Sequence, residues 1–175
     1  MKKISAYEVA LSALACALAT VFLVLGTITP VLLFTAYMLS CVALMLPLTK
    51  QFYLGYLLAY LATNLLSLLF CGAAFLLDLL PFALFFGLHP LMNELQMKWG
   101  MNKWLAFFIK VVWFEGALAF ICWVLLEVTT ASTVLGGYII PAVLLGGAAY
   151  FLFYDFTMFR VRAKLEILVK RIHKK

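Results

Sequence analysis

Basic residues leave three long stretches of this chain without a single lysine or arginine. Residues 4–49, 51–97 and 111–159 contain none, and these stretches are 46, 47 and 49 residues long. About 30 Å of hydrocarbon needs about 20 helical residues at 1.5 Å each, so each stretch has the length of two membrane spans and a short turn. The spacing therefore predicts three helical hairpins, or six transmembrane helices.

The composition agrees with a membrane protein and excludes an ordinary soluble domain. Of the 175 residues, 67% are hydrophobic and 11% are charged, and the mean hydropathy is +1.14. In soluble domains, about a quarter of the residues are charged. We therefore predict an all-α, polytopic membrane protein.

The predicted spans form one transmembrane domain over residues 1–159, followed by a basic tail at 160–175. Turns are marked by glycine and proline, as in GTITP ending at Pro30 and CGAA around Gly72. The spans are expected at about 8–26, 31–48, 52–71, 74–94, 104–127 and 136–159.

The distribution of lysine and arginine predicts the orientation. One side of the predicted bilayer holds Lys2, Lys3, Lys50, Lys98, Lys103 and the tail. The three turns on the other side have no basic residue. By the positive-inside rule, both termini are cytoplasmic. We expect the protein to lie in the plasma membrane of a bacterium. Lys110 is about one and a half turns into the fifth span, and we expect its side chain to extend back toward the inner surface.

The N-terminal segment also has a weak likeness to a cleaved lipoprotein signal, in which ALAC would end at the modified Cys16. Glu8 interrupts the approach to the apolar segment, which continues ten residues beyond Cys16. We therefore expect the first span to be retained.

The sequence contains no recognisable catalytic or metal-binding motif. A glycine-rich phosphate loop, HExxH and GxSxG are all missing, and the four cysteines stand singly in apolar segments. We expect no enzyme activity, cofactor, metal or nucleic acid, and we expect the net charge of +6 to meet anionic membrane lipids. An intramembrane enzyme built on Glu115, His89 and Asp78 would need these three groups to converge. The spans place them at different depths, which argues against this alternative.

Glu115 is the acidic residue predicted closest to the bilayer midplane. It lies about 12 residues, or roughly 18 Å, from the inner end of the fifth span. A carboxylate there costs about 2.5 to 3.5 kcal/mol on insertion scales, so it must face the protein interior or a wet cavity, or be protonated. It is either a ligand-binding group or a structural hydrogen-bonding group, with Asn64 or Ser67 as the partner.

Other polar groups cluster near the predicted outer surface. Asp78 lies one turn from the outer end of the fourth span, where it either lines a pocket or meets the interface. The remaining pocket candidates are Trp123, Thr129, Thr130 and Tyr138. The two aromatic residues could equally be anchors at the membrane interface. Farther in, we expect His89 to bond a carbonyl freed by Pro81 and Pro90. We expect Asp155, one turn from Arg160, to pair with basic residues at the inner boundary.

Small residues mark one face of the first span. Ala6, Ala10, Ala13 and Ala17 are spaced 4, 3 and 4, and Ala15 and Ala19 form a second small pair beside them. Such rows allow helix backbones to approach closely in lipid. The row docks either on a partner or within this chain, against the second or the sixth span, where Gly146 and Gly147 of the sixth span are candidate contacts.

The basic tail has its own apolar face. Val161, Leu165, Leu168 and Ile172 are spaced 4, 3 and 4, with basic residues between them. This pattern predicts an amphipathic helix along the inner leaflet, or one that docks on a partner protein.

The chain resembles the substrate-binding S components of energy-coupling-factor transporters in its six short-looped spans, inside N-terminus, basic tail and AxxxA pairs, at Ala13 to Ala17 and also at Ala15 to Ala19. A looser likeness, in FFGLHPLMNEL, is to small Firmicute membrane proteins and implies no function. The first resemblance implies uptake of a vitamin or similar nutrient, with Glu115, Asp78 and the outer residues at the ligand. It also implies a transmembrane coupling protein and two ATPases as partners, with Ala10, Ala13 and Ala17 at the docking face.

One feature departs from that family, because GTITP is much shorter than the first outer loop of many S components. The alternative function is a non-transporting accessory subunit that uses the alanine face and the tail to assemble with another complex.

Overall fold

The computed structural model describes residues 5–129 and 133–173, with side chains described for 5–124, 141 and 145–169. Within these residues the chain is helical and has no strand. The main helices are α1 (Ala6–Ile28), α2 (Leu33–Leu48), α3 (Tyr53–Cys71), α4 (Leu76–Pro81), α5 (His89–Trp99), α6 (Lys103–Thr129) and α7 (Thr133–His173). Short 3-10 turns at Pro30–Leu32 and Ala73–Phe75 lead into α2 and α4. A π-helical turn, Phe82–Phe86, follows α4 and precedes α5.

Five helical segments of the described chain are long and apolar enough to cross a membrane, so the protein belongs to the multi-pass membrane class. They are Ala6–Ile28, Pro30–Leu48, Tyr53–Cys71, Ala73–Trp99 and Lys103–Val124. Each overlaps one of the first five predicted spans. The predicted sixth span and the tail fall together in α7, which continues through residue 159 without a break.

The first helix packs on α2 and α3 through one face only. Ala15 and Ala19 are fully buried there, and the Ser40 hydroxyl of α2 donates to the Ala19 carbonyl at 3.0 Å. Gly26 lies so close to α2 that an added Cβ would come within 2.4 Å of the Ala36 Cβ. Small residues thus bring α1 and α2 into close contact.

The other alanine row of α1 points away from the rest of the chain. The exposed members are Ala6, Ala10, Ala13 and Ala17. Gly147 instead packs against Leu118 and Phe114 of α6, and Gly146 is exposed. The alternative in which this row docks on the second or the sixth span is therefore wrong, since α1 meets α2 through Ala15 and Ala19 instead.

The fourth membrane segment is broken around its two prolines, and side chains from α2 and α3 bond the carbonyls of the irregular part. Tyr37 donates to the Asp78 carbonyl, Tyr56 to that of Gly87, Tyr60 to that of Ala83 at 2.6 Å, and Cys41 to that of Phe86 at 3.0 Å. Prolines free backbone carbonyls inside membrane helices, and these must be paired again in hydrocarbon. The expectation that His89 has this role is wrong, because its ring bonds Asp155 instead.

We expect Tyr56→Phe to lower the free energy of unfolding by about 1 to 3 kcal/mol, the cost of leaving a buried acceptor unpaired. Tyr56 is fully buried, and its hydroxyl bonds the Gly87 carbonyl. Tyr53→Phe is the matched control, because Tyr53 is only half-buried. Denaturant unfolding in detergent measures both variants, and equal losses would contradict the assigned hydrogen bond.

Contacts bring several helix ends together at what we call the basic end. The Lys50 ammonium lies 5.5 Å from the centre of the Tyr7 ring, and the Lys98 ammonium lies 4.6 Å from the centre of the Tyr53 ring. Arg162 of α7 donates to the Leu48 carbonyl at the end of α2. The beginnings of α1 and α3 and the ends of α2 and α5 therefore lie at one level.

Candidate functional site

A buried polar cluster joins α5, α6 and α7 near the basic end. It consists of His89, Asn93, Lys110 and Asp155, whose residues are between 0 and 8% exposed. His89 and Asn93 are four residues apart and so share one face of α5. The cluster is enclosed by rings, with Tyr154, Phe85 and Phe151 packed around the imidazole.

The hydrogen bonds of this cluster close into a ring. Lys110 Nζ donates to Asp155 Oδ1 at 2.7 Å and to Asn93 Oδ1 at 2.9 Å. The Asn93 amide group then faces His89 Nδ1 at 3.5 Å, and His89 Nε2 lies 2.9 Å from Asp155 Oδ1.

These contacts assign the proton positions. A lysine ammonium only donates, so the Asn93 oxygen accepts and its amide nitrogen donates to His89 Nδ1. The neutral imidazole then carries its proton on Nε2 and donates it to Asp155. One positive and one negative charge are paired, and each of the four side chains finds a partner of the right kind.

The prediction for Lys110 is wrong, whereas the prediction that Asp155 pairs with a basic residue is confirmed. Lys110 does not extend toward the surface, because it is 2% exposed and its ammonium lies between Asp155 and the Phe159 ring, 4.9 Å from the ring centre. The basic partner of Asp155 is Lys110 and not the nearby Arg160, whose guanidinium lies 4.2 Å from the centre of the Phe156 ring. Asp155 is instead held by residues 45 and 66 positions away in the sequence.

A second ionic contact anchors the basic tail. Arg162 Nε and Nη2 donate to the two carboxylate oxygens of Glu94 at 2.9 and 3.1 Å, and Nη1 reaches Glu166 at 3.4 Å. Leu165 packs against the core, and Val169 is 6% exposed. Part of the tail therefore docks on its own chain, while Leu168 remains 53% exposed.

A separate apolar cavity of about 320 Å³ lies farther along α6 and α7. Glu115 is five residues beyond Lys110, so it is about 8 Å from the polar cluster along α6. The cavity is lined by Phe34, Phe114, Leu118, Gly146, Gly147 and Tyr150.

Unpaired polar atoms adjoin this cavity. Both carboxylate oxygens of Glu115 and the hydroxyl of Tyr150 are buried, and none has a hydrogen-bond partner among the described residues. Glu115 Oε1 lies 3.8 Å from the position that a Cβ on Gly147 would occupy, so only a glycine separates the carboxylate from the cavity. We refer to the cavity with Glu115 and Tyr150 as the Glu115 site.

The structural alternative for Glu115 is wrong in both of its forms. The Asn64 amide donates to the Tyr60 carbonyl at 2.8 Å, and the buried Ser67 hydroxyl has no partner in the described part of the chain. Neither side chain therefore pairs with the carboxylate. A buried carboxylate that accepts no hydrogen bond from the described residues favours the ligand-binding interpretation of Glu115.

The other predicted pocket residues are not brought to this cavity by the described contacts. Asp78 offers its backbone carbonyl to Tyr37, and Trp123 is 59% exposed beside Phe120, so neither lines the cavity. Thr129 and Tyr138 lie in α6 and α7, but their side chains are outside the described set, and Thr130 lies outside the described residues. Tyr150 is a site residue that the sequence did not suggest, since one tyrosine within an apolar span carries no signal.

The described residues contain no group of three or more histidine, cysteine, aspartate and glutamate side chains that could hold a metal ion. His89 and Asp155 already bond each other and Lys110. The side chains of the cluster and of the Glu115 site can form hydrogen bonds and charge pairs in an apolar surrounding.

In comparisons with known proteins, no protein-family model matches the chain, and no curated protein or solved structure is significantly similar to it.

Proposed function

We propose that the chain is a membrane-embedded substrate-binding subunit that captures a small nutrient at the Glu115 site. The observation that carries the proposal is a buried carboxylate that lies beside an apolar cavity and has no partner among the described residues. An unpaired buried carboxylate costs several kcal/mol, and a ligand that donates hydrogen bonds to it would remove that cost. Ligand pockets combine such a polar anchor with apolar walls.

The shape and chemistry of the site define the class of ligand. About 320 Å³ is near the lower limit for small-molecule pockets, so the ligand is small. Phe34, Phe114 and Leu118 favour an apolar or aromatic body. Glu115 requires a donor, best supplied by a protonated amine or a ring N–H, and the Tyr150 hydroxyl adds one polar contact. A vitamin-like nutrient with a basic nitrogen has these properties.

The proposal includes the orientation and the sixth span. The basic end is cytoplasmic, the cavity lies in the half of the bundle farther from it, and α7 completes six spans in the plasma membrane of a bacterium. The charge distribution supports this orientation, since the three turns between the Lys-free pairs of spans have no basic residue. A ligand would thus enter from outside.

The partners in this proposal are a transmembrane coupling protein and two ATPases, as in transporters that use S components. The exposed alanine row of α1 supports a docking role, because Ala15 and Ala19 already make the contacts inside the chain. Ala10, Ala13 and Ala17 remain available for close approach of a second helix.

Mass spectrometry of the purified protein tests the ligand. We expect the wild-type chain to retain a small metabolite and Glu115→Gln to lose most of it, because the charged acceptor becomes a neutral amide. Asp78→Asn is the matched control, since it removes an acidic group that does not line the cavity. Retention that falls equally in both variants, or no retained metabolite in the wild type, would exclude the Glu115 site.

The same alanine row favours a second candidate, an accessory subunit that assembles with another complex and transports nothing. Purification from its native membrane separates the two functions. ATPase subunits bound to the chain support uptake, whereas a different stable partner, with retention unaffected by Glu115→Gln, supports the accessory role.

A further inference from the structure

A second and larger cavity, of about 890 Å³, opens near the basic end between the end of α5, the start of α6 and α7. We call it the inner groove. It is lined by Gln96, Met97, Gly100, Met101, Lys103, Trp104, Phe107, Lys110, Asp155, Phe156 and Phe159. The Glu115 site shares none of these residues.

The inner groove has one uncompensated positive charge. Lys110 and Asp155 line it but neutralise each other at 2.7 Å. Lys103 has no ion pair or hydrogen bond from its side chain within the described part of the chain. The wall therefore carries a net charge of +1, which attracts an anionic group.

The groove also contains an acceptor that needs a donor. The side-chain oxygen of Gln96, Oε1, is buried and unpaired among the described residues. A carboxylate or sulfate anion that bonds Lys103 has no hydrogen to donate at pH 7 and leaves this acceptor unsatisfied. A ligand that carries both an anionic group and a hydroxyl satisfies both positions.

The remaining wall is apolar and continues onto the outer surface of the bundle. Trp104 is 80% exposed and Phe156 is 56% exposed, and both line the groove beside Phe107 and Phe159. In a membrane-spanning chain, this surface meets lipid at the level where Lys103 meets the headgroups. The groove thus combines an acyl-chain surface with a headgroup surface.

We propose that the inner groove binds one anionic phospholipid with a hydroxyl-bearing headgroup, of the phosphatidylglycerol kind. Its phosphate pairs with the Lys103 ammonium, a headgroup hydroxyl donates to Gln96 Oε1, and an acyl chain lies against Trp104 and Phe156. The assignment depends on membrane insertion alone and not on the proposed uptake function. It fits the charge of the groove better than a zwitterionic lipid, whose ammonium would face Lys103.

Native mass spectrometry of the full chain in detergent tests this site. The probes are short-chain phosphatidylglycerol, phosphatidylcholine with the same chains, and inorganic phosphate. We expect one tightly bound phosphatidylglycerol, weaker phosphatidylcholine and no retained phosphate. Equal retention of the two lipids would overturn the headgroup assignment, and retained phosphate would identify a free-anion site instead of a lipid site.

Matched variants connect the binding to the groove. Lys103→Met should weaken phosphatidylglycerol binding about fivefold, the effect of one lysine at an anionic headgroup. Lys98→Met removes the same charge at the same end, but Lys98 lies over Tyr53 outside the groove. It should change affinity by less than about twofold. Equal losses in the two variants would mean general charge attraction and would overturn the site.

Gln96→Leu provides an independent check, because it keeps the charge and removes only the acceptor. We expect it to reduce the preference for phosphatidylglycerol over phosphatidylcholine and to leave the thermal unfolding midpoint unchanged. An unchanged preference would overturn the role of Gln96. Failure of Glu115→Gln to release a metabolite affects none of these results.

Discussion

Lys110→Met is expected to lower the free energy of unfolding by about 3 to 5 kcal/mol, the usual cost of breaking a buried ion pair from one side. The variant leaves the Asp155 carboxylate without its counter-ion in an apolar surrounding, with only the His89 N–H at 2.9 Å. It also removes the donor to Asn93. Reversible unfolding in mixed micelles measures the loss.

A double variant separates the charge effect from lost packing. Lys110→Met with Asp155→Asn removes both charges, and the Asn oxygen can still accept from His89 Nε2. We expect the double variant to be less destabilised than the sum of the two single variants by at least about 1 kcal/mol. Additive losses would contradict the assigned ion pair. Lys164→Met, at an exposed position of α7, should cost less than about 0.5 kcal/mol.

Arg162→Met should lower the free energy of unfolding by about 3 kcal/mol, the low end for a buried ion pair, and should release the tail from the bundle. Arg162 bonds both oxygens of Glu94 and also the Leu48 carbonyl. The Glu94 and Arg162 side chains are only 9 and 11% exposed, so the remaining carboxylate is poorly solvated. Hydrogen exchange over residues 160–173 should increase together with the loss of stability.

Arg160→Met is the control for Arg162→Met, because it removes the same charge two residues away. Arg160 lies over the Phe156 ring, a contact worth about 0.5 to 1 kcal/mol at an exposed position. If the two variants have equal effects on stability and exchange, the tail is not held by the pairing of Arg162 with Glu94.

The alanine rows show where the sequence could predict a helix face and where it could not. Spacing alone identified two small-residue faces on the first span, since both follow from 3.6 residues per turn. Which face docks inside the chain depends on partners distant in sequence, such as Ser40 bonding Ala19 and Ala36 facing Gly26. The periodicity of residues within one helix does not indicate which residues of other helices they contact.

Polar residues inside the spans show the same limit. The sequence marked Glu115, His89, Lys110 and Asp155 as unusual because hydrocarbon penalises each of them. It did not identify their contacts, since the carbonyl bond expected of His89, the extension of Lys110 toward the surface and the bond of Glu115 to Asn64 or Ser67 are all wrong. Arg160 is five residues from Asp155, yet the structure pairs Asp155 with Lys110 and His89 from two other helices.

The sequence by itself determined the class of the protein. The free energy of burying charge in hydrocarbon depends on composition and spacing, so Lys-free stretches were enough to predict an all-α membrane protein and its first five spans. Only the tertiary structure decided which polar groups pair and which remain unpaired. That decision depends on atoms brought within about 3 Å by helix packing, and it left Glu115 beside a cavity while it closed a ring of hydrogen bonds around Lys110 and Asp155.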